Sequence, residues 1–181
     1  MQLLQPIESR RLILRTLTAE DDLGLYMGWL RDAEVVRYME ARFQEHSDET
    51  TRAFVDGLNA SPDNLFLGIF FKEGGDHIGN VKLGPINPHH RHATIGIVIG
   101  DRGQWGKNCA SEAIRALSDY ALGQMSLHKV FAGFYGGNVA STAAFAKAGF
   151  VEEARLRDHW NADGQWQDGV LMSRFANPDG A

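Results

Sequence analysis

One passage constrains this chain more than any other. From His92 the residues alternate strictly, with Ala93, Ile95, Ile97 and Ile99 set against Thr94, Gly96 and Val98. That is the period-two pattern of a half-buried strand. The chain then bends through Gly100-Asp101-Arg102-Gly103-Gln104-Trp105-Gly106-Lys107-Asn108 and turns helical, carrying Ala110, Ala113, Ile114, Leu117 and Ala121 on one stripe. A strand that hands over to a helix through a glycine-bearing bend belongs to a domain mixing sheet and helix. The first turn of such a helix has free backbone N–H groups and the positive end of the helix dipole. Glycines let that backbone approach an anion closely, so the unit reads as a phosphate cradle, with Lys107 adding a cation at its mouth. A plain strand-to-helix turn is the alternative that the local pattern leaves open.

The flanking sequence fits one domain over residues 1–181. Leu12-Ile13-Leu14 predicts a first strand. Thr18, followed by Ala19-Glu20-Asp21-Asp22, predicts a capped helix bearing Leu23, Tyr26, Met27 and Leu30. A short helix over Ala33–Met39 follows, then a third from Ser47-Asp48-Glu49-Thr50 with Ala53, Phe54 and Leu58. Leu65–Phe71 is a short apolar run and reads as a buried strand, paired through the Lys72–Asp76 turn with His77–Leu83. Gly84–Pro88 reads as a turn. After the glycine bend, Glu112, Arg115 and Asp119 are spaced as mutual surface partners on the helix, which Gly123 closes. Lys129–Tyr135 reads as a strand, Asn138 as the cap of a helix ending at Gly149, and Asn161-Ala162-Asp163-Gly164 as the turn of a final hairpin. The expected order is β-α-α-α-β-β-β-α-β-α-β-β.

Composition removes several functions. The single cysteine, Cys109, excludes an internal disulfide, a multi-cysteine metal site and an internal redox pair. A formal net charge of −5 is not the basic footprint usual for nucleic acid, which would need a local patch against this balance. No stretch approaches the roughly 18 apolar residues of a membrane span, and the N-terminus lacks a basic region followed by an apolar run. The expected setting is cytoplasmic, with no nucleic-acid or membrane partner. The bend fails the nucleotide-triphosphatase pattern G-x-x-x-x-G-K-[ST] twice, at Asp101 and Asn108.

Gln104-Trp105-Gly106-Lys107-Asn108-Cys109-Ala110-Ser111-Glu112-Ala113 resembles the acetyl-CoA pyrophosphate loop of the GNAT N-acetyltransferase superfamily. The likeness is nearest to the branch holding the Rim-type ribosomal-protein N-acetyltransferases and their small-molecule relatives. Ser9–Arg15 is similar to that branch's opening strand. Asn138-Val139-Ala140-Ser141 with Phe145-Ala146-Lys147-Ala148-Gly149-Phe150 is similar to its Asn-x-x-Ser…Lys-x-Gly-Phe segment, and the closing hairpin with Asp168 fits as well. The likeness runs through nearly the whole chain in the right order.

The resemblance implies an α/β (α+β) fold: a mostly antiparallel mixed sheet of about six to seven strands, splayed at the cofactor site and flanked by about four to five helices. It implies acetyl-CoA as co-substrate. The backbone at Ile97, Val98 and Ile99 would bond the pantetheine arm. Gln104, Trp105, Gly106, Lys107, Asn108, Cys109, Ala110 and Ser111 would hold the pyrophosphate. Asn138 would contact the cofactor at the splay, and Phe145 and Lys147 would line its outer path. Trp105 and Asn108 depart from the family loop, Asn108 standing at its central glycine; asparagine tolerates a positive φ best among non-glycine residues. Thr94 stands where that family often has an acid.

The implied reaction is direct attack of a neutral amine on the thioester. An α-amine with pKa about 8 is roughly 10% neutral at pH 7, and a lysine amine, near 10.4, is below about 0.1%. The weakly basic acceptor therefore needs less help. Ser141 and Tyr135 are the candidate proton donors to the leaving thiolate, and His92, on the face of Thr94, the candidate base. His89, His90 and His92 lack the acid cluster and convergent spacing of a metal site. The acceptor is a protein N-terminus or a small amine. His77–Asn87 is also similar to enzymes that acetylate nucleotide-linked amino sugars, and a catalytically silent acyl-CoA-binding module is the reading of another class. Monomer and homodimer are both open.

Overall fold

The computed structural model describes residues 1–18 and 21–176. Eight strands form one sheet in the order β1-β2-β3-β4-β5-β6-β8-β7. They are β1 (Ile7–Glu8), β2 (Leu12–Thr16), β3 (Leu65–Phe71), β4 (His77–Asn87), β5 (His92–Ile99), β6 (Lys129–Tyr135), β7 (Val151–Ala162) and β8 (Gln165–Phe175). The helices are α1 (Gly24–Arg31), α2 (Ala33–Val36), α3 (Asp48–Ala60), α4 (Cys109–Gly123) and α5 (Val139–Lys147). The element order matches expectation with the two-residue β1 added. No helix among the described residues is long and apolar enough to cross a membrane.

The sheet has a core on each face, and β3 shows why its sequence is apolar without a break. Leu65, Leu67 and Ile69 face one core with α4 and α5, while Phe66 and Phe70 face the other with α1 and α3. Alternate residues of a doubly covered strand must all be apolar.

All pairings are antiparallel except β5 with β6, which run parallel because α4 carries the chain across between them. That parallel register spans only His92↔Lys129, Ala93↔Val130 and Thr94↔Phe131. Beyond it β5 stays with β4 as far as Ile99, and β6 stays with β8 as far as Tyr135. The two strands part into a wedge, leaving one edge of Ile95–Ile99 without a strand partner.

Four local expectations need correction. Thr18 does not cap α1, which begins at Gly24 with no side-chain cap. Instead the Asp21 carboxylate accepts from the Thr18 backbone N–H (2.9 Å) and hydroxyl (3.0 Å); Ala19 and Glu20 lie outside the described residues. The turn expected over Gly84–Pro88 begins only at Pro88: β4 runs on through Asn87, with a register shift between Leu83 and Ile86. Ala53 is exposed and Phe54 only borders the core, its ring edge-on to Phe66 at 5.7 Å; the residues that α3 buries are Thr51 and Val55. The helix α4 does end at Gly123, but the left-handed residue that turns the chain is Ser126, φ 53°.

Candidate active site

The open end of the wedge meets the start of α4. Asn108 takes φ 61°, the left-handed conformation that the bend requires of its last residue, and Gly106 takes φ 74°. The asparagine side chain makes no cap bond to α4, because its Oδ1 accepts from Lys147 Nζ at 2.7 Å. The N–H groups of the first turn therefore stay uncapped and the dipole end unmasked, which suits an anion. The Ser111 hydroxyl donates to Asn108 O (3.0 Å). The Gln104 amide donates to Asp101 Oδ2 (3.1 Å), while Asp101 Oδ1 accepts from Gly103 N (2.8 Å), so Gln104 stiffens the bend from within.

A cavity of about 510 Å³ opens beside this turn, lined by Arg10, Arg11, Lys107, Asn108, Ser111, Glu112, Arg115 and Lys147. Glu112 is its one carboxylate and is already spent. It accepts from Ser9 Oγ (2.8 Å), Arg11 N (2.6 Å) and Arg11 Nε (2.7 Å), clasping the β1–β2 turn onto α4. Burial alone would raise its pKa, but the Arg11 and Ser9 hydrogen bonds prevail and hold it below the usual glutamate value. The expected surface partnership of Glu112, Arg115 and Asp119 is replaced by tertiary bonds. Arg115 donates to Lys147 O, and Asp119 pairs with Arg174 at 2.6 Å. Helical spacing could not show that partners from other elements would compete.

The expected cofactor residues fall into three groups. The half-buried Ile97, Val98 and Ile99 line the wedge, though Ile99 O is taken by Trp105 Nε1 at 2.8 Å, so the exposed indole acts as a latch on the end of β5. Gly106, Lys107, Asn108, Ala110, Ser111 and Lys147 gather around the helix start. Two side chains turn away from this start, and for Phe145 that corrects the expectation. Cys109 is 1% exposed and packs into the core, where burial pushes its thiol pKa up, leaving only its backbone N–H for a ligand. Phe145 is 2% exposed and stacks on Phe134 with ring centroids 5.5 Å apart, anchoring α5 rather than lining a path.

At the tip of β6, Asn138 caps α5 by accepting from Ser141 N (3.1 Å), and Asn138 N donates to Tyr135 O (2.9 Å). Tyr135, Asn138 and Ser141 are thus brought to one turn. His92 is not. It is the first residue of β5, at the closed end of the wedge, with its ring against Phe131 and His90. The base role expected of it is therefore withdrawn.

The sequence reading missed Glu40 and Arg42. They lie in a 3-10 turn, Glu40–Phe43, which has no periodic signature to betray it. Tyr135 donates its hydroxyl to Glu40 Oε1 at 2.7 Å, and Arg42 donates from Nη2 to the same hydroxyl at 3.3 Å. Burial, then the adjacent Glu40 carboxylate, raises the Tyr135 pKa. Trp160 stacks on the Tyr135 ring at 5.0 Å, and Tyr38 donates to Gly137 O at 3.2 Å. The early turn and the late hairpin thereby close on the tip of β6 from two sides.

Residues 11–151 match the family described as an acetyltransferase (GNAT) domain. The chain is 34% identical over 170 residues to the probable N-acetyltransferase YjcK of Bacillus subtilis, 92% of each chain. Over shorter stretches it is 30% identical to the ribosomal protein uS5-alanine N-acetyltransferase of Escherichia coli (64% of this chain, 59% of the relative) and 33% identical to the spermidine N(1)-acetyltransferase of Vibrio cholerae (55% and 60%). The fold is similar to that of a GNAT-family acetyltransferase from Bacillus anthracis, with TM-score 0.82 and 21% identity over 95% of this chain and 99% of that one.

Proposed function

The chain belongs to the GNAT acetyltransferase family, and on that premise we propose that it moves acetyl from acetyl-CoA to a primary amine at the open end of the β5–β6 wedge. The observation that carries this reading is the uncapped start of α4 beside a free strand edge: a place for a phosphate next to a place for an extended amide-bearing arm. In this reading the N–H groups of Cys109, Ala110 and Ser111 hold the diphosphate, with Lys107 and Lys147 beside it. The unpaired edge at Ile97 and Val98 bonds the arm as a neighbouring strand would. Asn108 already adopts the conformation that the missing glycine would supply, so the departure at this position leaves the cradle intact.

Bound there, acetyl-CoA supplies a thioester whose leaving thiolate is fairly stable by itself, with pKa about 8.5 by analogy with cysteine. Ser141, in the first turn of α5, is the group we assign to protonating that sulfur. Tyr135 and Glu40 form a hydroxyl–carboxylate pair able to accept the proton that the amine nitrogen loses as its bond to the acetyl carbon forms. Glu40 thus supplies the carboxylate absent at Thr94, from another element. The acceptor is a protein N-terminal α-amine, as for the Rim-type enzymes, or a small-molecule amine, with a nucleotide-linked amino sugar as the alternative. The same reading treats residues 1–181 as one domain, working in the cytoplasm as a monomer or homodimer.

Thiol release from acetyl-CoA against a panel of amines tests the proposal, with calorimetric titration of CoA alongside. Binding together with amine-dependent release supports it. Binding without release on any amine favours a silent acyl-CoA-binding module. No binding removes the cofactor assignment.

A further inference from the structure

The cavity beside α4 is larger and more cationic than a diphosphate cradle needs. Ser111, Glu112 and Arg115 follow one another at helical spacing on α4, just beyond Asn108, so the cavity runs along the helix as a groove. Arg115 lies seven residues beyond Asn108, about 10 Å along the axis at the usual helical rise. The groove is walled by the β1–β2 turn, which brings Arg10 and Arg11, and by the end of α5, which brings Lys147. Five cations therefore face one carboxylate, in a chain whose formal net charge is −5. Glu112 does not neutralise the group at large, since Arg11 and Ser9 already occupy its oxygens. Arg10 has no ion-pair or hydrogen-bond partner among the described residues, and Arg115 donates to a neutral carbonyl, Lys147 O. Like charges gathered without counter-charges repel one another, and an anionic ligand relieves the repulsion.

We infer that this groove holds a second phosphate, the 3′-phosphomonoester on the ribose of CoA, with Arg10 and Arg115 as the residues that recognise it. The inference rests on the acetyl-CoA reading above and extends it from the diphosphate to the far end of the same ligand. A phosphomonoester carries a charge of about −1.5 to −2 at neutral pH and has three strong acceptor oxygens, so it matches planar guanidinium donors. The diphosphate is served by backbone N–H groups, which any sequence offers. The 3′-phosphate is served by side chains, so the groove sets selectivity between CoA and CoA lacking that phosphate.

The test is calorimetric titration of the full chain with CoA and with 3′-dephospho-CoA, on the parent protein and on Arg10→Gln and Arg115→Gln. Both arginines are exposed, and thermal melting checks that each variant folds. The parent is expected to bind CoA at least about tenfold more tightly than dephospho-CoA, the scale of a hydrogen bond to a charged group. Each variant should narrow that ratio, chiefly by weakening CoA, and added salt should narrow it in the parent too. Equal binding of the two ligands by the parent overturns the inference and leaves the acetyl-CoA reading standing. So does a variant that weakens both ligands by the same factor. Binding of neither ligand overturns both.

Discussion

Lys147 Nζ donates to Asn108 Oδ1 at 2.7 Å, joining the last residue of α5 to the residue that opens α4. The bond occupies the side chain that would otherwise be best placed to cap α4, and it sets an ammonium beside the uncapped turn. One contact therefore keeps the helix start both open and electropositive. Lys147→Met is expected to weaken acetyl-CoA binding roughly tenfold by calorimetry, since it removes a charge-assisted partner and frees Asn108 to compete for the N–H groups. Its effect on the melting temperature should be small, because the ammonium is exposed.

Gly106 has φ 74°, and a Cβ there would meet nothing within 4 Å. Gly106→Ala should cost about 1 kcal/mol of stability through backbone strain alone and leave a bound ligand room. Gly106→Glu adds bulk and a negative charge at the phosphate cradle. It should abolish measurable CoA binding by calorimetry while melting close to the alanine variant. Equal CoA affinity in the two variants would refute the placement of the diphosphate.

Trp29 packs against the bend where Gly100 leaves β5, and a Cβ on Gly100 would fall 1.8 Å from the indole Cδ2. Gly100→Ala should destabilise by about 1–3 kcal/mol, the range for forced overpacking. The double variant with Trp29→Ala should lose less than the two single losses together, because removing the ring makes the methyl tolerable. Denaturant unfolding of the four proteins in the cycle measures the coupling.

Asp21 accepts from both Nη atoms of Arg15, at 2.6 and 3.2 Å, and from the backbone N–H and hydroxyl of Thr18. The Arg15 guanidinium leads in lowering its pKa to about 2, against burial, with Thr18 assisting. A carboxylate whose folded pKa is depressed stabilises the fold above its unfolded value, near 3.9, and that contribution is lost as pH falls toward 2. Asp21→Asn should therefore cost about 2 kcal/mol at pH 7. The gap between variant and parent should close in melts taken from pH 4 downward.

Glu40→Gln retains the shape of the side chain but removes the charge facing the Tyr135 hydroxyl. As a positioned proton acceptor it should be worth about a hundredfold in kcat/KM, the lower end of general base catalysis. CoA binding, measured separately, should barely change. A fall of less than threefold in kcat/KM would remove Glu40 from the proton path.

The sheet and the bend were legible because their signals are local. The alternation of Ala93–Ile99, the unbroken run of Leu65–Phe71 and the caps at Ser47 and Asn138 each lie within a few residues. The glycines and Asn108 marked the turn because few residues accept a positive φ. What escaped was set by contacts between distant segments. Glu112 read as a surface residue because Arg11 lies 101 positions away, and Glu40 read as nothing in particular because Tyr135 lies 95 positions away. Phe145 was drawn to the ligand by its motif, yet a motif does not say which side of a helix the core will take. The reading of His92 failed for a related reason: sharing a face with Thr94 says nothing about which end of the wedge opens.

The seam between β5 and β6 is three residues long, and among the described residues it alone joins, within the sheet, the block β1–β5 to the block β6–β8. An arm bonded along β5 inside the wedge, as proposed, would brace the two blocks against each other and make the co-substrate a strut as well. By mass action such a ligand adds stability in proportion to the logarithm of its concentration once binding saturates. Amide exchange along Ile95–Ile99 and susceptibility to proteases would then follow the supply of acetyl-CoA, and a cell short of it would hold a looser enzyme that is cleared sooner.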